Sequence, residues 1–314
     1  MSSNRDEVTR RAFLARIGVL GASAVLLPRC TPGPAPAGGA PTGEVASEIS
    51  LGALVESLRP VLSALARDTL NAFVAFNLPG QDPYSQAQGT PRAEPGGIEA
   101  QGTDFLIENL DRFLPFPDAL VQPAAAGLVT ALADLPLPLS QPLPLPLPLP
   151  LPGGVVTLGL VDDAVRYILQ NDEAMPISLP VALLFNYLAT AVSPAALSGP
   201  FLSPFARLSF AQKARAMELL ETSHPQLVAV VDAQLPQPLK ASASGLLKFI
   251  GGALQEFAAL GSMGESRKYN PQTRTLTGRP VGWQLTGYLP DNQTGDGWDD
   301  LLGYYQNRRE ATDA

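Results

Sequence analysis

Residues 135–152 alternate leucine and proline almost without a break. Each proline lacks a backbone N–H and has a fixed φ, so this run can form neither an α-helix nor a strand within a sheet. Polyproline II remains, and its three residues per turn do not match the two-residue sequence period. The leucines therefore point all around the axis. We expect a low-complexity insertion on the surface; the alternative is a proline-rich docking ligand.

Apolar residues recur at helical spacing on both sides of this insertion, and no stretch shows a convincing strand alternation. The sequence therefore predicts a mainly α fold: an irregular helical domain with a proline-rich insertion and an irregular, aromatic C-terminal tail. Residues 79–102 are rich in Gly, Pro and Gln and are predicted to be a loop. The predicted helices cover residues 48–77, 105–114, 119–133, 162–171, 180–192, 209–221, 225–234 and 239–260.

Several residues indicate where these helices begin. Pro60 predicts either a kink in the first helix or the start of a second one. Thr103 is a candidate N-cap, Ser209 and Gln212 have the spacing of a capping box, and Pro225 suits a first helical position.

Two stretches, residues 183–192 and 246–260, are very apolar but too short to span a bilayer. We therefore expect both of them to form the core of the domain.

The N-terminus has the pattern of a twin-arginine export signal. Arg10 and Arg11 are followed by Phe13 and Leu14, and then by a weakly hydrophobic run over residues 17–27. That route carries folded proteins across the cytoplasmic membrane, so we expect the chain in the periplasm or cell envelope. The alternatives are an ordinary secretory signal or a chance arginine pair.

The signal also predicts how the chain is divided. Residues 1–37 are interpreted as the signal peptide and cleavage region, 38–46 as a linker, and 47–314 as one α-helical domain. Cys30 follows a leucine in the manner of a lipoprotein box, but the charged Arg29 before it argues against a lipid anchor. Because Cys30 would be removed on cleavage, the mature chain would have no disulfide and no thiolate chemistry.

The net charge excludes one class of partner. The chain carries a formal charge of −8, and cleavage would make it more acidic by removing five arginines and only two acids. Such a protein repels phosphate backbones, so nucleic-acid binding is not expected.

The sequence contains few residues in patterns suited to reaction chemistry. His224 is the only histidine, and no Gly-x-Ser-x-Gly, dinucleotide-binding, phosphate-loop or haem-attachment motif is present. Residues 291–297 hint at a calcium loop but lack its glycine and glutamate spacing, so they are interpreted as turns. We predict no catalytic, cofactor-binding or metal-ligating residue in this chain.

The last fifty residues contain both tryptophans and four of the seven tyrosines. Large aromatic side chains dominate the energetics of protein interfaces. The residues proposed to contact a partner are therefore Trp283, Tyr288, Trp298, Tyr304 and Tyr305. The alternative is that these rings only attach the tail to the chain's own helices.

Three segments together resemble the gluconate 2-dehydrogenase subunit 3 family. Residues 95–106 resemble its P-G-A-x-E-A-G-x-x-x-F-(I/L) segment, after a Leu-Pro step at 78–79. Residues 208–212 match its Leu-Ser-x-x-Gln helix start, and residues 282–288 match its Gly-Trp-Gln-Leu-Thr-Gly-Tyr segment. Members often carry twin-arginine signals, as this chain does.

This resemblance implies a small subunit without a cofactor of its own. Its partner would be a large FAD-dependent dehydrogenase of the glucose–methanol–choline type, acting on an alcohol, sugar or sterol, with a cytochrome c subunit in some complexes. The chain would escort that partner, already loaded with FAD, through the twin-arginine translocase. The alternatives are a cell-envelope binding or structural protein, and a free-standing exported enzyme that uses carboxylates.

Overall fold

The computed structural model describes most of the domain between residues 50 and 287, and its described part is mainly helical: 67% of these residues lie in helices and 2% in strands. The predicted mainly α class is therefore confirmed. The export signal, the Leu-Pro run and residues 288–314 lie outside the described residues, as do the predicted helices at 119–133 and 162–171 except for four positions. The described residues are 50–112, 127–128, 164, 167, 176–222, 224–273 and 275–287.

Eight α-helices and one short hairpin make up this described part. The helices are α1 (Leu51–Asn77), α2 (Pro83–Gln88), α3 (Gly102–Arg112), α4 (Ser178–Val192), α5 (Phe210–Glu221), α6 (Pro225–Gln234), α7 (Ala243–Met263) and α8 (Val281–Thr286). Two 3-10 turns, Pro194–Leu197 and Phe205–Arg207, separate α4 from α5. Strands β1 (Tyr269–Asn270) and β2 (Thr275–Leu276) pair antiparallel, with Tyr269 opposite Leu276.

Helix α1 is a single helix that contains Pro60, so this proline does not begin a second helix. Proline lacks the N–H that would bond the carbonyl of Glu56, but both residues are exposed and water can satisfy that carbonyl. Ser50 caps the N-terminus of α1, because its hydroxyl accepts from the backbone N–H of Ala53 at 3.2 Å.

Helix α2 lies inside the stretch predicted to be a loop. The Asp82 carboxylate caps it, accepting from the N–H groups of Tyr84 and Ser85, each at 2.9 Å, and Pro83 occupies its first turn. This Asp-Pro start is a recognisable helix signal. The helix is only six residues long, which is why an apolar period does not reveal it.

The predicted cap at Thr103 is wrong. Helix α3 begins at Gly102, after Gln101 with a φ of 61°, and Thr103 is buried within the first turn. By contrast, the capping box is confirmed: Ser209 and Gln212 exchange both hydrogen bonds at the start of α5. Pro225 is the first residue of α6, as predicted.

Helix α7 begins four residues later than the pattern suggested. Ala241 has a φ of 64°, which an α-helix cannot include, so the chain turns before the helix starts. The first N–H of α7, that of Ala243, donates to the Asp232 carboxylate of α6 at 2.8 Å. A side chain of the preceding helix therefore fixes this boundary.

The core lies where α1, α4 and the second 3-10 turn meet. The rings of Phe73, Phe185 and Phe205 stack there, with centroids 4.7 Å apart for the first pair and 5.2 Å for Phe185 and Phe205. Helix α4 is buried from Ser178 to Thr190, as expected of a helix that is apolar on all sides. The prediction that residues 183–192 belong to the core is thus confirmed, apart from the last two.

The glycines of residues 95–102 let this segment fit between two helices. A Cβ on Gly96 would lie 2.6 Å from the carbonyl oxygen of Leu78, and one on Gly97 would lie 2.7 Å from Ser262 Oγ of α7. The Glu99 carboxylate accepts from the N–H of Gly96 at 2.8 Å and so closes the turn. These positions therefore require glycine, because a larger side chain would not fit between the neighbouring atoms.

Candidate functional site

One face of α7 exposes three large apolar side chains, and we call it the outer face. Phe249, Leu260 and Met263 are 51%, 58% and 37% exposed. Together with Glu256 they are spaced by seven, four and three residues, so they lie on one side of the helix. Residues 246–260 were expected to be core; only the opposite side of this stretch is.

The buried side of α7 consists mainly of small residues. Gly251, Ala258 and Gly261 lie on it, and a Cβ on Gly261 would lie 2.3 Å from the ring of Phe105. The small inner residues bring α7 close to α3 and α5, while the larger side chains of its outer face point away from them. The outer face therefore contributes little of its area to the fold.

Trp283 follows the point where α8 contacts the end of α7. It lies on α8 and is half-buried. The neighbouring Gly282 sits against the end of α7, since a Cβ there would be 2.3 Å from the carbonyl oxygen of Met263. Arg279 Nη2 donates to the Trp283 carbonyl at 3.2 Å, which closes the turn into α8.

The other residues named from sequence lie outside the described residues. They are the aromatic residues Tyr288, Trp298, Tyr304 and Tyr305 and the export-signal residues Arg10, Arg11, Phe13 and Leu14. The outer face of α7 was missed as a surface. The sequence did contain a sign of this surface. The apolar residues of this helix occur on more of its circumference than one buried side requires.

A second candidate is a buried polar cluster around Asp68 and Lys213, at the junction of α1, α2 and α5. The Asp68 carboxylate is 7% exposed. It accepts from the Tyr84 hydroxyl and from the N–H of Ser203, both at 2.8 Å. Tyr84 in turn accepts from Asn71 Nδ2 at 3.1 Å, and burial raises the pKa of its hydroxyl.

Lys213 is fully buried in this cluster. Its Nζ donates to Gln88 Oε1 at 2.7 Å and to the Ala72 carbonyl at 3.2 Å, and it lies 5.6 Å from the centroid of the Phe205 ring. Burial lowers the pKa of the ammonium to about 7, although the charges of Asp82 and Asp68 oppose this effect.

The contacts of this cluster indicate a structural role. The Lys213 ammonium makes two hydrogen bonds and lies near the Phe205 ring. The Asp82 carboxylate caps α2. The sequence carried a signal for the burial of Lys213 only, because Lys213, Ala216, Met217 and Leu220 have the spacing of one buried helix face.

The described part of the chain offers few other sites. His224 lies at the start of α6, where its side chain makes no capping bond, and its buried Nδ1 has no hydrogen-bond partner there. Within residues 50–112 and 176–287, with the gaps noted above, no three His, Cys, Asp or Glu side chains come together as metal ligands. Over the same described residues, no helix is long and apolar enough to cross a membrane.

Comparisons of the chain with protein-family models, with curated proteins and with solved structures found no match. A function for this chain is therefore inferred from its sequence and from the geometry of its described residues.

Proposed function

We propose that this chain is a non-catalytic small subunit that binds a large FAD-dependent dehydrogenase and escorts it through the twin-arginine export route. The observation that carries the proposal is the outer face of α7, whose last residue, Met263, contacts the start of α8. The FAD belongs to the partner, whose substrate would be an alcohol, a sugar or a sterol. A cytochrome c subunit could join the same complex.

The outer face has the composition of an interface. Phe249, Leu260 and Met263 expose apolar area that an isolated protein gains nothing by exposing. Covering the exposed half of each side chain would contribute about 1 kcal/mol, at roughly 25 cal/mol per Å² of apolar surface. Trp283 is of the residue type that most often dominates a binding interface, and it lies on α8, which contacts α7.

The segments that carry the family resemblance lie around the same helix. Residues 95–106 lead into α3, residues 208–212 begin α5, and residue 282 begins the contact of α8 with α7. All three helices contact α7. The resembling segments thus hold α7 in place from one side and leave its outer face available for a partner.

The export signal supports an escorting role. A chain without a cofactor has no need of a folded-protein route for itself, but it would need that route if it assembled on an FAD-loaded partner before export. The partner would then require no signal of its own. The acidic charge of this chain is compatible with such a partner and disfavours nucleic acid.

The first test is a tagged pull-down of the full chain from the native envelope fraction, read by flavin absorbance and mass spectrometry. We expect a larger flavoprotein to co-purify. Leu260→Glu places a charge on the outer face and should release the flavoprotein, because a charge cannot be buried without a partner. Leu51→Glu is the matched control, since Leu51 is also exposed, at 38%, but on α1.

A second test addresses the escort itself. Replacing Arg10 and Arg11 together by lysine should retain both this chain and the flavoprotein in the cytoplasm. If the flavoprotein is exported normally, the escorting role is wrong. A colourless protein that purifies alone would contradict the subunit role as a whole.

A further inference from the structure

The exposed residues of α7 repeat at the spacing of a coiled coil. Positions at alternating intervals of four and three residues are exposed from Gly245 to Met263, nearly the whole length of the helix. This spacing keeps one stripe of a helix facing a second helix. We call these positions the seam, and they are Gly245, Phe249, Gly252, Glu256, Ala259 and Met263. Leu260 of the outer face flanks the seam.

Small and large residues alternate along the seam. The small ones, Gly245, Gly252 and Ala259, lie seven residues apart, and a larger seam residue follows each. A Cβ on either glycine would meet nothing within 4 Å, whereas one on Gly261, on the buried side, would lie 2.3 Å from the ring of Phe105. Glycine costs a helix about 1 kcal/mol relative to alanine, and the packing of the described residues does not require the two exposed glycines. A second helix against the seam would require them, because small side chains let two helix axes approach closely.

Two antiparallel copies of α7 fit together by size. When Gly252 of one copy lies opposite Glu256 of the other, the remaining small and large positions also meet. These further pairs are Phe249 with Ala259 and Met263 with Gly245. Each pair occurs twice, because a two-fold axis repeats it. A parallel dimer would instead place each residue against its own copy, with phenylalanine against phenylalanine and glycine against glycine.

Charge also favours the antiparallel direction. Lys248, beside the seam, and Glu256, within it, are both exposed. Neither forms an ion pair with another described residue. In the antiparallel pair Glu256 lies opposite Gly252, which is about one helical turn from Lys248 of the same copy, so opposite charges meet twice. A parallel pair would place Glu256 against Glu256, which is unfavourable.

We propose that a second copy of this chain covers the outer face, with α7 packed antiparallel against α7. The pairing does not depend on the accessory-subunit function. Because the proposed flavoprotein contact uses the same face, a chain binds either a second copy or the flavoprotein. Stable interfaces bury about 1,200–2,000 Å², and a single pair of helices lies at the low end of this range, so we expect a dimer that dissociates at micromolar concentrations.

The test is sedimentation equilibrium of the full chain, produced without a flavoprotein and followed from low to high micromolar concentration. We expect a monomer–dimer equilibrium. Lys248→Glu should weaken dimerisation by about tenfold or more, because it brings acids of the two copies together. Adding Glu256→Lys to this variant should restore the dimer, because the exchanged charges again meet with opposite sign.

A second pair of variants tests the close approach of the helices. Gly252→Leu fills the space opposite Glu256 and should abolish the dimer, whereas Gly252→Ala keeps a small residue there and should retain it. Arg215→Glu is the matched control, since it makes the same charge change at an exposed arginine of α5 and should leave the dimer unchanged. Circular dichroism should show the same helical content for all variants.

The proposal is overturned if the chain stays monomeric over this range, if Lys248→Glu dimerises as well as the natural chain, or if the double variant does not recover. A monomer that still captures the flavoprotein would overturn the pairing alone. A dimer that captures no flavoprotein from the envelope would support the pairing and contradict the subunit role.

Discussion

The Asp68–Lys213 cluster and the outer face of α7 reverse the usual distribution of polar and apolar groups. The cluster places two carboxylates and an ammonium inside the protein, and the outer face leaves a phenylalanine, a leucine and a methionine at the surface. The difference lies in what each group contacts. Each carboxylate and the ammonium of the cluster have hydrogen-bond partners, while the outer face has apolar area left over after the core is filled.

The two regions therefore respond to mutation in opposite ways. In the cluster, removing one group leaves the others buried without a partner, so the cost appears in the free energy of unfolding. On the outer face, a side chain can change with little effect on the fold, so any effect should appear in binding. A set of four variants tests this contrast.

Asp68→Ala should have the largest effect. It leaves the Ser203 N–H and the Tyr84 hydroxyl without their acceptor and removes a negative charge near Lys213. We expect the free energy of unfolding to fall by about 2–5 kcal/mol, because two buried donors each lose their acceptor. Urea unfolding followed by circular dichroism measures it. Asp104→Ala, which breaks only the exposed pair with Arg67, should cost no more than about 1 kcal/mol.

Lys213→Met tests the same cluster through pH. The pKa of Lys213 falls from an ordinary 10.5 to about 7 in the folded chain, so between these values the unfolded chain holds a proton that the folded chain has lost. The free energy of unfolding should therefore rise with pH across this window and decline as pH falls toward 7, with a slope of up to about 1.4 kcal/mol per pH unit.

Lys213→Met should flatten this part of the profile, seen in urea unfolding between pH 7 and 9.5. That range stays below the deprotonation of ordinary tyrosines, whose pKa is about 10. A parallel rise in both proteins would show that Lys213 is charged in the folded chain and that burial does not lower its pKa.

Gly282→Ala tests the contact between α8 and the end of α7, where a buried residue supports the helix that carries the outer face. Its Cβ would lie 2.3 Å from the carbonyl oxygen of Met263, a backbone atom that cannot move aside. We expect a loss of about 1–3 kcal/mol in the free energy of unfolding. Because α8 would shift, Trp283 should move as well, and flavoprotein capture should weaken. Gly252→Ala is the control, since a Cβ there meets nothing within 4 Å.

Leu260→Gln should have the smallest effect on stability. The side chain is 58% exposed, and surface substitutions of this kind change the free energy of unfolding by about 0.5 kcal/mol or less. The same variant should lose flavoprotein in the pull-down. A large loss of stability instead would mean that the outer face is part of the fold and would contradict its role as an interface.

Much of the fold follows from local sequence signals. The apolar period predicted α1, α4 and α7, and the capping box at Ser209 and the proline at Pro225 placed the starts of α5 and α6 correctly. The failures occur where distant residues decide. The start of α7 depends on Asp232 of α6, and α3 begins where Gln101 takes a positive φ in a segment packed against α1 and α7.

The candidate sites were less accessible from sequence. Trp283 could be singled out as one of two tryptophans, and the structure places it half-buried on α8, which contacts α7. A cleft lined by residues of α1, α3 and α4 could not be foreseen, because its lining residues, such as Arg59 and Leu179, are far apart in the chain. The same holds for the cluster, in which Asp68 and Lys213 approach only after α1 and α5 pack.

The sequence by itself determined the helical class and most helix boundaries, because hydrogen bonding within a helix, capping and proline geometry act over a few residues. Only the tertiary structure decided which side of α7 is buried and why Lys213 has a lowered pKa. Burial, desolvation and the meeting of charges depend on residues that the chain brings together from a distance, and no local pattern records them.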